Sequence, residues 1–153
     1  MHGLKQEDIL MNLHIKNFSE LTSRELYEIL RVRAEVFVVE QNCVYQDLDE
    51  IDFDSLHVYL EENNCIRAYL RLFYKDKSAG VVQIGRVLTT QRGCGLGLHV
   101  LLAGIDAAVT IFHARQIYLE AQCYAIGFYE KAGFHVISNE FLEDGIPHVQ
   151  MIR

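Results

Sequence analysis

The stretch that most limits how this chain can fold is Thr89-Thr90-Gln91-Arg92-Gly93-Cys94-Gly95-Leu96-Gly97-Leu98. Ahead of it, Val81 to Leu88 is rich in β-branched residues and reads as a strand. Behind it, Leu98 to Phe112 is apolar at helical spacing. A strand, a turn with three alternate glycines and a helix form an anion site. Glycine lets backbone approach an oxyanion closely, and the free N–H groups of the first helical turn point at it along the positive end of the dipole. Arg92 adds a fixed positive charge at the rim. The ligand such a turn fits is a phosphate or a pyrophosphate.

Three phosphate-binding patterns compete for the turn. The phosphate loop of NTPases ends in Gly-Lys-Ser/Thr, whereas this turn runs Gly97-Leu98-His99, so that pattern fails. The dinucleotide fingerprint needs a third glycine where Leu98 stands, and an acidic residue about 20 residues on at a strand end is missing too. Arg-x-x-Gly-x-Gly is met at Arg92, Gly95 and Gly97. This resembles the acyl-CoA pyrophosphate turn of the GNAT N-acetyltransferases. A second segment, Ala125-Ile126-Gly127-Phe128-Tyr129-Glu130-Lys131-Ala132-Gly133-Phe134 after the strand Ile117 to Gln122, resembles the family's second motif. It stands in the order and at the separation the family shows. Val36 to Cys43, Tyr45-Gln46-Asp47 and Glu143 to His148 are similar to the ElaA-like branch, and the resemblance spans residues 12–153.

Size and charge agree. A chain of 153 residues suits one domain that buries about two thirds of its unfolded surface. The net charge of −7, with no basic run, argues against a nucleic-acid partner and favours cationic amines. No apolar run is long enough for a membrane span. Cys43, Cys65, Cys94 and Cys123 share no C-x-x-C spacing, and no signal peptide is visible, so reduced thiols and a cytoplasmic location are expected.

In chain order, residues 1–11 read as an N-terminal extension, with Met11 a natural start, and residues 12–153 as one acetyltransferase domain. Leu13 and Ile15 mark a first strand. Thr22-Ser23-Arg24-Glu25 is a capping box, opening a helix to about Phe37 or Val38. Gln41 to Ser55 is irregular and acidic. Its Asp47, Asp49, Glu50, Asp52 and Asp54 do not follow calcium-loop spacing, and they read as a solvated loop or as a rim attracting a protonated amine. Strands follow at His57 to Glu61 and Cys65 to Phe73, joined at Asn63-Asn64, then the strand to Leu88, the glycine turn and its helix. The chain closes with strand 117–122, a short helix ending at Gly133, a strand 134–137, the acidic Glu140 to Gly145 connection and a strand 147–152. The order β-α-β-β-β-α-β-α-β-β is a mixed α+β arrangement. The resemblance implies a mostly antiparallel sheet splayed at its central strands, with helices on both faces.

The resemblance also implies a chemistry: acetyl transfer from acetyl-CoA, as co-substrate and without a metal, to a primary amine, by direct attack in a ternary complex. The pantetheine would pair like an extra strand with Val87, Leu88 and Thr89. The pyrophosphate would lie on Arg92, Gly93, Cys94, Gly95, Leu96 and Gly97, with Gln122 and Tyr129 beside the cofactor. Tyr129 holds the position of the family's tyrosine near the CoA sulfur; a phenol of ordinary pKa about 10 can donate to a departing thiolate. The base is open among carboxylates and histidines: Glu120 on strand 117–122 is the expected one, with Glu40, His57 and His148 as alternatives, and Glu40, Gln41, His57 and His148 are expected on the acceptor side. Other readings remain: a non-catalytic acyl-CoA-binding or sensory module, a covalent route through Cys94, and a nucleotide or redox protein built on the same turn. Exposed strand edges favour a homodimer.

Overall fold

The computed structural model describes residues 11–153, and the expected extension lies outside it apart from Met11, which packs against the core. Strand β1 (Asn12–Asn17) leads through a 3₁₀ turn to helix α1 (Ser23–Arg33). The capping box forms as expected. The Glu25 N–H donates to Thr22 Oγ1 at 3.1 Å, and the Thr22 N–H donates to Glu25 Oε1 at 3.2 Å. Burial works to raise the Glu25 carboxyl, yet hydrogen bonds from Lys16, Tyr59 and Thr22 hold it at about 2.

The chain does not leave the α-helix where periodicity suggests. It continues as a π-helical segment, Ala34–Glu40, whose wider turns carry Gln41 onward. Then come β2 (Leu56–Glu62), β3 (Cys65–Asp76), β4 (Val81–Thr89), α2 (Leu96–Thr110), β5 (Gln116–Gln122), α3 (Ile126–Lys131), β6 (His135–Val136), β7 (Phe141–Glu143) and β8 (Ile146–Ile152). Asn63 and Asn64 take left-handed conformations, φ 49° and 62°, at the β2–β3 hairpin. The acidic connection before β8 is itself a strand, β7, turning at Asp144-Gly145 with φ 49° and 77°.

The strands form one eight-stranded sheet in the order β1-β2-β3-β4-β5-β8-β6, with β7 also paired to β8. All pairs are antiparallel except β4–β5, which are joined by the α2 crossover. On one face α2 and α3 cover Val58, Leu60, Leu70, Leu72, Val82, Ile84, Leu119, Ala121, Val149 and Met151. On the other, Ile29, Val32 and Val36 of α1 and its extension cover Tyr59, Ile66, Tyr69 and Leu88. Each such aliphatic side chain contributes about 1.5–3 kcal/mol by leaving water. α1 and its extension cover β2 to β4 of that face, and among the described residues no helix packs on its β5–β8–β7 part.

β4 is irregular in two places. Tyr69 pairs with Leu88 but Arg71 pairs with Gly85, so Arg86 and Val87 together oppose Leu70 in a β-bulge. The extra residue reverses the alternation: Val82 and Ile84 sit in the α2-side core, whereas Leu88 sits under α1. The second irregularity is the splay. β4 pairs with β5 only from Val81 to Gln83, against Gln116 to Tyr118. Past Gln83 the two parallel strands diverge, leaving the backbone of Ile84–Thr89 without a strand partner on that side.

Candidate functional site

At the open end of the splay stands the glycine turn. Gly93 and Gly95 have φ of 80° and 74°, and a Cβ built on either meets no atom within 4 Å. Glycine is therefore required there by backbone conformation, and the space around the turn is open. The first helical bond of α2 runs from the His99 N–H to the Gly95 carbonyl at 3.1 Å. The N–H groups of Leu96 to Leu98 precede it and face outward at the positive end of the helix. Gly97 has a different reason: a Cβ there would come within 3.3 Å of Thr89 Cγ2 and 3.4 Å of Phe128, so the helix start, β4 and α3 meet at that point. Arg92, Gly93, Cys94 and Gly95 are all exposed. An open loop of amides beside unpaired strand backbone fits a diphosphate carrying an amide-bearing arm.

α3 brings Tyr129 to the same region. Its ring packs edge-on against Phe128 and Phe134, with centroids 5.1 and 6.1 Å away. Burial, with a smaller contribution from Tyr124, pushes the phenol above its ordinary range, so it is a proton donor throughout neutral pH. At the end of β5, Gln122 exchanges hydrogen bonds with Gln41: its Nε2 donates to Gln41 Oε1 at 3.2 Å, and the return bond is 3.5 Å. The structure thus joins Gln41, expected on the acceptor side, to Gln122, expected at the cofactor. Glu40, one residue earlier, is exposed.

The acidic loop is not the free rim that the sequence suggests. Asp47 Oδ2 accepts from Arg33 Nε at 3.0 Å, and Asp47 Oδ1 accepts from Arg86 Nε at 2.8 Å and from Tyr45 Oη at 2.8 Å. Asp52 Oδ1 accepts from Arg33 Nη1 at 2.6 Å and Arg71 Nη1 at 2.9 Å, while Asp49 takes two bonds from Arg71 at 2.6 and 2.7 Å. Three guanidinium groups meet three carboxylates, and their charges cancel. Arg33 is wholly enclosed. Burial works to raise the Asp49 and Asp52 carboxyls, but the arginines hold both below the usual range. The bulge explains why Arg86 takes part: reversing the alternation sends its side chain to the α1 face, where Asp47 lies. Only Glu50 and Asp54 of the five loop carboxylates remain exposed outside this knot.

His57 is also corrected. It is 0% exposed, with Nε2 3.0 Å from the Asp52 carbonyl and Nδ1 2.7 Å from Tyr69 Oη. A carbonyl only accepts, so Nε2 carries the proton and Nδ1 accepts from the phenol. Burial drives its pKa down, and a neutral, enclosed imidazole braces the loop rather than meeting an acceptor.

On the uncovered part of the sheet the β5–β8 register sets Glu120 opposite Gln150 and Gln122 opposite His148. Ala121, Val149 and Met151 belong to the α2-side core, so Glu120, Gln122, His148 and Gln150 project from the other face. Glu120 Oε1 accepts from Tyr118 Oη at 2.9 Å. Glu143 of β7 joins them: its Oε2 lies 3.6 Å from His148 Nε2, and burial followed by the nearby Glu120 raises its pKa. No arginine or lysine forms a salt bridge with Glu120 or Glu143 among the described residues.

Sequence reasoning missed Arg33, Arg71 and Arg86, because each lies in an ordinary helix or strand pattern. It missed Glu143 because β7 was read as a connection; the Asp144-Gly145 pair is the hairpin signal that could have found it. Cys94 lies exposed on the turn, with Sγ 3.8 Å from the Arg92 carbonyl.

A family model described as an acetyltransferase (GNAT) domain matches residues 19–153. The protein ElaA of Escherichia coli is 37% identical over 139 residues, covering 88% of this chain and 91% of that protein. Its crystal structure matches with a TM-score of 0.88 at 34% identity, covering 94% of this chain and 99% of that one. A crystal structure of an acyl-CoA N-acyltransferase from Pseudomonas aeruginosa also gives a TM-score of 0.88, at 37% identity and with 94% and 99% covered. YjcF of Bacillus subtilis, an N-acetyltransferase by name, is 34% identical over 131 residues, 84% of this chain and 92% of that protein.

Proposed function

The chain belongs to the GNAT acetyltransferase family, in its ElaA-like branch, and from that premise we propose that it moves the acetyl group of acetyl-CoA to a primary amine. The observation that carries the reading is the coincidence of the open glycine turn with the β4–β5 splay. Amides of residues 92–97 hold the diphosphate, and the free edge of β4 at Val87, Leu88 and Thr89 holds the pantetheine. Unpaired strand backbone beside a buried core is costly unless something bonds to it, and amide groups of a bound arm do so.

When bound, acetyl-CoA supplies the activated acyl group; the protein supplies positioning and proton traffic. Tyr129, kept protonated by burial, donates toward the departing thiolate. Glu120 draws in a protonated amine, and a neighbouring group on the same part of the sheet takes its proton. The Gln41–Gln122 pair lies between the two halves and holds the end of β5 in place.

The test is a panel of primary amines (n-butylamine, spermidine, lysine amide and phenethylamine) with acetyl-CoA, followed by free-thiol release, alongside calorimetry with CoA. The expected result is CoA binding and amine-dependent thiol release with at least one amine. CoA binding without turnover on an extended amine panel would leave only a binding module, and no CoA binding at all would remove the reading entirely.

A further inference from the structure

Deepening the transferase reading, on which it rests, the geometry points to His148 Nε2 as the atom that takes the proton from the acceptor's ammonium group, with Glu143 as the carboxylate that stabilises the imidazolium formed. His148 Nδ1 lies 2.7 Å from the Ile146 carbonyl of its own strand. That oxygen can only accept, so in the neutral ring Nδ1 carries the hydrogen and Nε2 is left with a lone pair. The ring is held in plane by Phe141, stacked at 6.0 Å and 27°. Its side chain is only 10% exposed. Nε2 faces Glu143 Oε2 across 3.6 Å. Two acceptors at that separation make no hydrogen bond with each other, and a single proton between them converts the pair into an ion pair.

The hairpin makes this arrangement a built one. Phe141 pairs with His148 and Glu143 with Ile146, so the stacking ring, the carboxylate and the carbonyl that selects the tautomer come from eight consecutive residues folded at Asp144-Gly145. The Cys43 thiol donates to the Asp144 carbonyl at 3.6 Å, tying the hairpin tip to the loop that follows the π-helical segment. The charged and titratable groups facing His148 and Glu143 are Asp144 in the turn and Glu120 and Tyr118 on β5. Lys75 lies over the Tyr118 ring, with Nζ 4.2 Å from its centroid. Anionic groups predominate, so a cationic aliphatic amine is the acceptor class this face selects. Glu120, already accepting from Tyr118, attracts the cation rather than removing its proton.

In the transfer, Nε2 takes one proton of the ammonium, and the freed nitrogen pair forms the C–N bond as the thioester C–S bond breaks. The thiolate takes the Tyr129 proton, and the second nitrogen proton, lost as the amide forms, restores the phenol. The imidazolium then returns its proton to water. One ammonium and one thioester give one amide, one thiol and one released proton.

The probe is whichever amine of the same panel gives the fastest thiol release, assayed with wild type, His148→Gln and Glu143→Gln. His148→Gln should lower kcat/KM by about a hundredfold or more and abolish the acid limb of its pH profile, with CoA affinity by calorimetry unchanged. Glu143→Gln, on an exposed hairpin, should move that limb to lower pH, because the imidazolium loses its anionic partner. A purely structural histidine would change rate without moving the limb. If wild type releases thiol and His148→Gln keeps the acid limb, or loses less than about threefold in rate, this assignment falls while the transferase reading stands. If no amine releases thiol with wild type, both fall together.

Discussion

Two groups of carboxylates lie on the α1 side of the sheet, and they differ in what faces them. Asp47, Asp49 and Asp52 are met by Arg33, Arg71 and Arg86, whereas Glu120 and Glu143 meet a tyrosine, a histidine and each other. For Asp49 and Asp52 the pKa falls because guanidinium groups outweigh burial; for Glu143 it rises because burial and a like charge act together. Identical chemistry thus gives a structural clamp in one place and an acidic surface unneutralised by arginine or lysine in the other. The clamp holds the loop 47–54 against the β4 bulge, beside the splay. The second group lies on the β5–β8–β7 part of that face, beyond the reach of α1.

The comparison breaks most sharply at Arg33. Arg33→Met leaves Asp52 and Asp47 short of a cation in an enclosed space and should cost about 3–5 kcal/mol in urea unfolding. A loss under about 1 kcal/mol would mean that the knot is not a clamp. Asp47→Asn keeps the shape but removes the charge shared by Arg33 and Arg86. We expect about 1–3 kcal/mol of lost stability, and slower turnover as Arg86 and its bulge loosen.

The pH dependence of stability should carry opposite signs in the two groups. Asp49, Asp52 and His57 have depressed pKa values in the folded protein. Their contribution is present above the unfolded values, about 6.5 for histidine and about 3.9 for aspartate, and is lost as pH falls through the lower folded ones. Glu143 behaves in reverse: its contribution is present below about 4.3 and is lost as pH rises through its raised folded value. Denaturation midpoints measured from pH 8 downward, about one pH unit apart, should drop first below about 6.5 and again below about 4; Glu143→Gln should remove only the opposing trend. The smallest effect is expected for Glu120→Gln. It should change stability by less than about 1 kcal/mol, since it breaks no ion pair, yet raise the KM for a cationic amine.

The local features of the chain were legible without a structure. Gly93, Gly95 and Gly97 between a β-branched run and an apolar helix, the Thr22–Glu25 box and the Asn63-Asn64 turn each depend on neighbours in sequence, and each appears as read. The parallel β4–β5 pair follows from the crossover helix between them. The acidic loop was misread because a carboxylate's role depends on cations contributed by α1, β3 and β4, between 14 and 39 residues away in the chain. His57 is enclosed by partners on other elements, the Asp52 carbonyl and the Tyr69 hydroxyl, which strand alternation does not show, and the three residues of β7 offer too little pattern to separate a strand from a loop.

What the sequence determined by itself is therefore the frame: where strands and helices start, where the backbone must turn left-handed, and where an anion can be held by amides. Those are set by steric limits and hydrogen bonding within a few residues. The tertiary structure alone decided which carboxylates are paired with guanidinium groups and which are not. Charge and solvation act through space, and the one extra residue of the β4 bulge, which sends Arg86 to the α1 face, helps settle that outcome.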